Sequence, residues 1–346
     1  MPLGFGRFCL RHGIMPATMK ELIEQSQISM LLEQGDIDGL REALIALLSH
    51  AGAAARLRAL DAAGLLTRIV PELEPARDTD QPHVHFLPVL GHSIETVAAV
   101  EWLLAQIGVP SAGPADDDPA RLPTAIRAHP ELRYGSVYRD KLRQHFAEPI
   151  GTRYPHAALF KLGALLHDIA KPQTKQAKPG GGVSFHEHQT IGGEIAAAIA
   201  RRLSFDDTET SYIRAIVREH MRPGQLSVLD EVTLRAVQRY FYATGDAGPD
   251  VLLHLLADHM ATRGPQIDIM SWIAQAKWID ALLDVIWGEV TEPTPPLLNG
   301  NELMRELGLT PGPLVGKLLA AVGEAQANGA IGTKEEAIDL ARRLIR

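Results

Sequence analysis

An all-α fold is the class this sequence predicts, and three observations predict it. Segment after segment is rich in Ala, Leu and Arg, with apolar residues recurring at three and four. Alternating β-branched runs are scarce, and no stretch offers a convincing row of strands. Proline- and glycine-rich breaks punctuate the helical segments rather than interrupting them.

Taken in order, residues 38–66 (DGLREALIALLSHAGAAARLRALDAAGLL) open the helical pattern. VLGHSIETVAAVEWLL (89–104) reads as an amphipathic helix with His92 at its start, and LFKLGALL (159–166) as an apolar helix ending at His167-Asp168. IGGEIAAAIARRL, ETSYIRAIVREH, TLRAVQRYFYA, DVLLHLLADHMA and IAQAKWIDALLDVIW keep the same period. Pro71 to Pro88 is proline-rich and is expected to be irregular; Gly108 to Pro123 reads as an exposed, acidic, flexible insertion. Glu289 to Leu303 separates off a C-terminal piece, with Asn299 or Asn301 as its N-cap and LTPGP restarting a helix. Boundaries fall near 75 and 290, giving an N-terminal helical region (1–75), a central domain (76–290) and a C-terminal helical region (291–346).

The 346 residues are 46% hydrophobic and 22% charged with net charge −8, which is a globular composition and argues against a strongly basic nucleic-acid coat. A single cysteine, Cys9, excludes intrachain disulfides and thiolate zinc sites and points to a reducing, cytoplasmic setting. The N-terminus has no apolar signal-peptide core, and no run is long enough to span a membrane.

Histidine is the unusual component, with fourteen copies. His167 and Asp168 sit side by side where an apolar helix ends before Pro172. Adjacent helical residues diverge by about 100°, yet they can converge on an ion placed over the helix end. Imidazole suits borderline metals, and a carboxylate adds charge and can bridge two ions. His92, His188 (or His186), His220 and Asp258 are the further candidates, all at helix ends or on apolar helices. Each has an ordinary alternative: a helix-start histidine, a solvated loop, a cation at a helix C-terminus, a buried salt bridge. Their order along the chain favours a shared site.

That order resembles the HD superfamily of metal-dependent phosphohydrolases. The resemblance extends to residues 64–97 (GLLTRIVPELEPARDTDQPHVHFLPVLGHSIETV), which are similar to the stretch leading from the neck into the HD domain of bacterial CCA-adding enzymes and poly(A) polymerases. LFKLGALLHDIAKPQTK with the following GGVSFHEHQTIGGE resembles that family's His-Asp helix and loop, and PLLNGNELMRELGLTPGPLVGKLL its C-terminal tail. The match covers roughly residues 40–346. It implies an HD-domain helical core with a neck before it and a tail after it. Relatives often carry Gly where this chain has Ala170 and Glu187; neither change removes a ligand.

The resemblance implies a first metal set of His92, His167, Asp168 and Asp258. A second set would be His188 and His220, with Asp168 bridging. The ions would be Mg, Mn, Ni or Fe, one or two in number, with the histidines tilting toward transition metals. Asp168 and Lys171 are expected to be catalytic, and Lys171, Arg153 and Arg222 to bind substrate. The implied activity is phosphatase or phosphodiesterase action on a nucleotide or RNA-terminal phosphate, such as a 2′,3′-cyclic phosphate. The alternative is a catalytically inactive module that docks tRNA-like RNA or a separate nucleotidyltransferase chain. Only about forty residues precede the matched stretch, too few for the family's nucleotidyltransferase head. Asp36 and Asp38 in GDIDG lack its Gly-Gly and Arg-Asp companions and read as a turn and helix cap, so no nucleotide transfer is expected.

Overall fold

The computed structural model describes residues 19–112, 119–179, 181–227, 233–288, 297–327 and 330–345. The N-terminal stretch containing Cys9, the centre of the acidic insertion and residues 289–296 lie outside them. Two compact units result, Met1–Trp287 and Gly288–Arg346.

The first unit begins with α1 (Met19–Gln34), α2 (Ile37–Ser49), α3 (Ala53–Ala62) and the short α4 (Leu66–Ile69). Asp36 caps α2 by accepting the Gly39 amide at 2.9 Å, and Asp38 pairs with Arg41 at 2.5 Å. Next come α5 (Val89–Ile107), α6 (Thr124–Ala128), α7 (Arg139–Ala147), α8 (His156–Leu166) and α9 (Lys171–Thr174). A hairpin follows, β1 (Lys175–Ala177) with β2 (Val183–Phe185), then α10 (His188–Arg202), α11 (Asp207–Glu219), α12 (Arg222–Ser227) and α13 (Leu234–Thr244). α14 (Gly248–Arg263) and α15 (Ile269–Trp287) complete the unit.

Two expectations need correction. Pro71–Ala76 is a 3-10 helix rather than irregular chain, because Pro71 enters with its φ already suited to a helix start. The antiparallel β1–β2 hairpin, with Lys175 opposite Phe185, carries no sequence alternation long enough to be read; Gly181 and Gly182, both at positive φ, turn the chain. The acidic insertion starts as ordered chain: Ala112 exchanges backbone hydrogen bonds with Ser49 and Ala51.

α5 and α8 are apolar on nearly every face, and such helices belong in the middle of a domain. α5 packs on α3, α8 and α14; α8 packs also on α2 and α11; α10 lies along α11. Glycines allow the closest approaches. A Cβ on Gly163 of α8 would lie 2.8 Å from Ile216 of α11, and one on Gly193 of α10 would lie 3.0 Å from Arg218. Buried charges are paired: Lys161 Nζ meets Glu101 at 3.1 Å, and Glu101 accepts the Ala53 and Ala54 amides, tying α3, α5 and α8 together. No helix among the described residues is long and apolar enough to cross a membrane.

The second unit holds α16 (Gly300–Leu307), α17 (Pro313–Ala327) and α18 (Lys334–Ile345) around its own core of Leu303, Leu318, Val322 and Ala337. Asn299 is the N-cap of α16 and forms a capping box with Glu302.

A buried clasp fixes four helices of the first unit. Asp250 on α14 is fully buried, with His145 Nε2 of α7 at 2.6 Å, His156 Nε2 of α8 at 2.8 Å and the Tyr212 hydroxyl of α11 donating at 2.6 Å. His156 Nδ1 faces the carbonyls of His145 and Glu148, both at 3.1 Å, so Nδ1 carries a proton, and a second proton on Nε2 would place a charge beside Asp250. Burial opposes this charge, but the Asp250 carboxylate overcomes it and raises the His156 pKa. A raised histidine pKa contributes stability that is fully present below the ordinary value of about 6.5 and is lost as pH climbs through the raised value. Urea unfolding followed from pH 6 to pH 9 should therefore show wild-type stability declining. Asp250→Asn should be destabilised by about 3–5 kcal/mol at pH 6, with a shallower decline thereafter.

Candidate metal centre

Four helix termini and one helix face, from α5, α8, α10, α11 and α14, meet at a second cluster. His92 lies in the first turn of α5 rather than on an exposed helix start, and it is fully buried. His167 follows the last residue of α8 with Asp168 next; His188 opens α10; His220 follows α11; Asp258 lies in the last two turns of α14. His186 is exposed in the preceding loop, and the cluster takes His188 instead.

Two sets of ligand atoms share one carboxylate. Asp168 Oδ2 lies 3.6 Å from His92 Nε2 and 3.1 Å from His167 Nε2; those nitrogens are 3.3 Å apart, and Asp258 Oδ1 is 3.0 Å from His92 Nε2. Asp168 Oδ1 lies 3.4 Å from His188 Nε2 and 3.8 Å from His220 Nε2, with those nitrogens 3.2 Å apart. Atoms about 2.1 Å from a common ion stand about 3–3.5 Å apart, whether the geometry is octahedral or tetrahedral. Most of these separations fall in that range; His92 to Asp168 at 3.6 Å, His220 to Asp168 at 3.8 Å and His167 to Asp258 at 3.9 Å are longer. His145, His156 and Asp250 form a third cluster of potential ligands, but it is closer: His145 Nε2 is hydrogen-bonded to Asp250 at 2.6 Å, and His156 Nε2 lies 2.8 Å from the same carboxylate.

Backbone carbonyls set the tautomers. Nδ1 of His167 donates to Ala164 O at 2.8 Å, that of His188 to Phe185 O at 2.7 Å and that of His220 to Val217 O at 2.7 Å. Each aims its Nε2 inward, the arrangement in which neutral imidazole binds metal; when no ion lies between them, Asp168 raises the His167 pKa against the opposing effect of burial. Two facing Nε2 lone pairs cannot hydrogen-bond each other, so the donor set calls for a cation between them. Burial pushes the His220 pKa down to about 3, which keeps that ring neutral. Burial opposes ionisation of Asp168 and Asp258 as well. His167 and Lys171 hold Asp168, and His92 and His167 hold Asp258, well below the ordinary carboxylate range.

The sequence-derived cations separate. Lys171, nearly buried, places Nζ 2.6 Å from Asp168 Oδ2. Arg222 lies two residues beyond His220 and pairs with Glu219 at 2.8 Å. Arg153 is not at the site, contrary to expectation. Its Nη2 grips the fully buried Glu209 at 2.5 Å in the first turn of α11, about 16 Å along the helix from His220. A buried carboxylate needs that counter-charge.

Two residues went unread in the sequence. His254 of α14 is fully buried one turn before Asp258, against His167 and His220, with no hydrogen-bond partner on either ring nitrogen. Its spacing of four from Asp258 is the signal that could have found it. Gln81, in the Pro-rich loop, accepts from Lys171 Nζ at 2.6 Å; nothing local marks it.

Comparison with known proteins agrees with this geometry. The family model described as HD domain matches residues 143–261, a span that includes His167, Asp168, His188, His220 and Asp258 but not His92. The chain is 32% identical to an A-adding tRNA nucleotidyltransferase of Deinococcus radiodurans, over 86% of this chain and 56% of that protein. It is 31% identical to a CC-adding tRNA nucleotidyltransferase of Thermus thermophilus, over 86% of this chain and 54% of that one. It is also 29% identical to a bifunctional uridylyltransferase/uridylyl-removing enzyme of Streptomyces coelicolor, over 65% of this chain and 20% of that enzyme. The chain thus spans about half the length of the tRNA nucleotidyltransferases it matches. It carries an HD domain and is distantly homologous to those tRNA nucleotidyltransferases.

Proposed function

We propose that the protein is a metal-dependent phosphohydrolase acting on a nucleotide or on the terminal phosphate of an RNA. The observation that carries this reading is the buried Asp168 carboxylate, shared between two histidine sets at metal-ligand spacing. His92, His167, Asp168 and Asp258 would hold one divalent ion; Asp168, His188 and His220 would hold a second. The mixed nitrogen and oxygen donors suit Mn, Ni or Fe better than Mg, which prefers oxygen. An ion there lowers the pKa of a bound water and polarises a phosphoryl oxygen.

The chain's own residues do the rest. The carbonyl-locked histidines keep their lone pairs inward, and the surrounding apolar helices exclude bulk water. Lys171 balances Asp168 and lies within reach of an incoming phosphate oxygen; Arg222 stands nearby as a second cation. Access is narrow. His92, His167, Asp168, His188 and His220 are buried, whereas Asp258 keeps 27% of its side chain exposed. A slim end group fits such an opening better than an internal phosphodiester flanked on both sides. Relatives named for tRNA nucleotide addition and for uridylyl removal support a nucleotide or RNA end as substrate. On this reading residues 76–290 form the catalytic domain, and the neck-like 1–75 and tail-like 291–346 regions handle the RNA.

Elemental analysis of Mn-loaded protein tests the ligand sets. His188→Ala combined with His220→Ala should lower the content by one ion per chain, and Asp168→Ala should remove both. The activity itself is tested on nucleoside monophosphates, 2′,3′-cyclic nucleotides and RNA 3′-phosphates with Mn, Ni or Mg. Wild type should release phosphate or open the cyclic ester, and Asp168→Ala should lose roughly a thousandfold or more in kcat/KM. A wild-type protein that binds no divalent ion and leaves every one of these esters intact would sink the reading.

A further inference from the structure

The Lys171 ammonium is almost out of water and has three neighbours. Asp168 Oδ2 and Gln81 Oε1 each lie 2.6 Å from Nζ, and the Phe185 ring centre lies 5.4 Å away. Asp168 Oδ2 also faces His92 and His167, so an ion in that half of the site draws on the same charge. The Asp168 carboxylate cannot fully neutralise an ion and the ammonium together. Once it is shared, the Gln81 carbonyl oxygen is the uncharged acceptor that still fixes Lys171.

Gln81 is built to stay in place. Its Nε2 donates to Leu87 O at 3.2 Å, which sets the orientation of the amide and aims Oε1 at the ammonium. It precedes Pro82, which narrows its backbone to extended conformations. Both ends of the loop are tied. The Thr79 hydroxyl donates to Pro75 O at 2.7 Å, and the Val89 amide to Thr79 O at 3.1 Å. His85 of the same loop rests edge-on against His92, with ring centres 5.2 Å apart.

We propose that Gln81 is a positioning residue that holds Lys171 as a phosphate donor at the metal centre, making the 78–88 loop part of the substrate site. The proposal rests on the phosphohydrolase reading, and specifically on Lys171 facing phosphate. Gln81 does not touch the substrate; it acts through the ammonium. With one ammonium proton on Oε1 and another facing Asp168 Oδ2, the third is left to reach a phosphate oxygen, and the Phe185 face stabilises the cation meanwhile.

The test is calorimetric binding of inorganic phosphate to Mn-loaded full-length protein, with metal content and thermal midpoint measured alongside. Gln81→Met keeps the length and apolar bulk of the side chain but removes the acceptor. It should weaken phosphate binding about tenfold, the size of one charge-assisted hydrogen bond. Metal content should stay at the wild-type value. Lys171→Met should weaken binding at least as much, and the double variant should bind no more weakly than Lys171→Met alone. Additive losses in the double variant would show that Gln81 acts independently of Lys171 and would overturn the proposal. So would an unchanged affinity in Gln81→Met beside a weakened Lys171→Met, leaving the phosphohydrolase reading intact. If Lys171→Met itself binds phosphate as wild type does, or wild type binds none, the placement of Lys171 fails and the inference fails with it.

Discussion

Asp168 is a carboxylate with almost no access to water, faced by four imidazoles, and the surrounding structure is arranged around that fact. An ionised group in so dry a place is tolerable only when counter-charges meet it. Three of the imidazoles have their Nδ1 protons committed to carbonyls, so it is Nε2 that each turns toward Asp168. Lys171 supplies one positive charge, on one oxygen. The convergence of acceptors therefore asks for further cations, and the separations of 3.0–3.8 Å leave room for them.

Helix ends make this convergence affordable. His167, His188 and His220 all lie at or just beyond helix termini, where the chain leaves its cylinder and consecutive residues can aim at one point. The termini can crowd because the helices behind them touch backbone to side chain, at Gly163 against Ile216 and at Gly192 and Gly193 against Val217 and Arg218. The same helices are fastened a second time at the far end. α8 runs from His156 to the His167-Asp168 pair, about 16 Å away, and α14 carries Asp250 about 12 Å before Asp258. The Asp250 clasp and the Asp168 cluster are thus two ends of one frame, distinguished by separations that differ by several tenths of an ångström.

Much of the fold was legible because helical periodicity is local. The segments read as helices in the sequence are helices in the structure, and Asp36 and Asn299 cap them as their side chains suggest. What escaped was short or non-local: the three-residue strands, whose pairing depends on two glycines at positive φ, and the 3-10 turn through Pro71 and Pro75. In the site, His92, His167, Asp168, His188, His220 and Asp258 could be picked out by residue type and order. Arg153 could not be separated from Lys171 in that way, since a cation's sequence position says nothing of which buried carboxylate claims it. Gln81 and His254 were invisible for a related reason, because only their neighbours distinguish them.

The sequence by itself determined the helices and their caps, since these follow from composition and spacing along one chain; the candidate metal ligands came from their order together with a family resemblance. Tertiary structure alone decided that Asp168 is shared between two sets of histidines. It also decided that His145, His156 and Tyr212 gather on Asp250, and that Lys171 leans on Gln81. Each of these rests on distances between residues far apart in the chain, and a few tenths of an ångström there separate a ligand from a hydrogen bond.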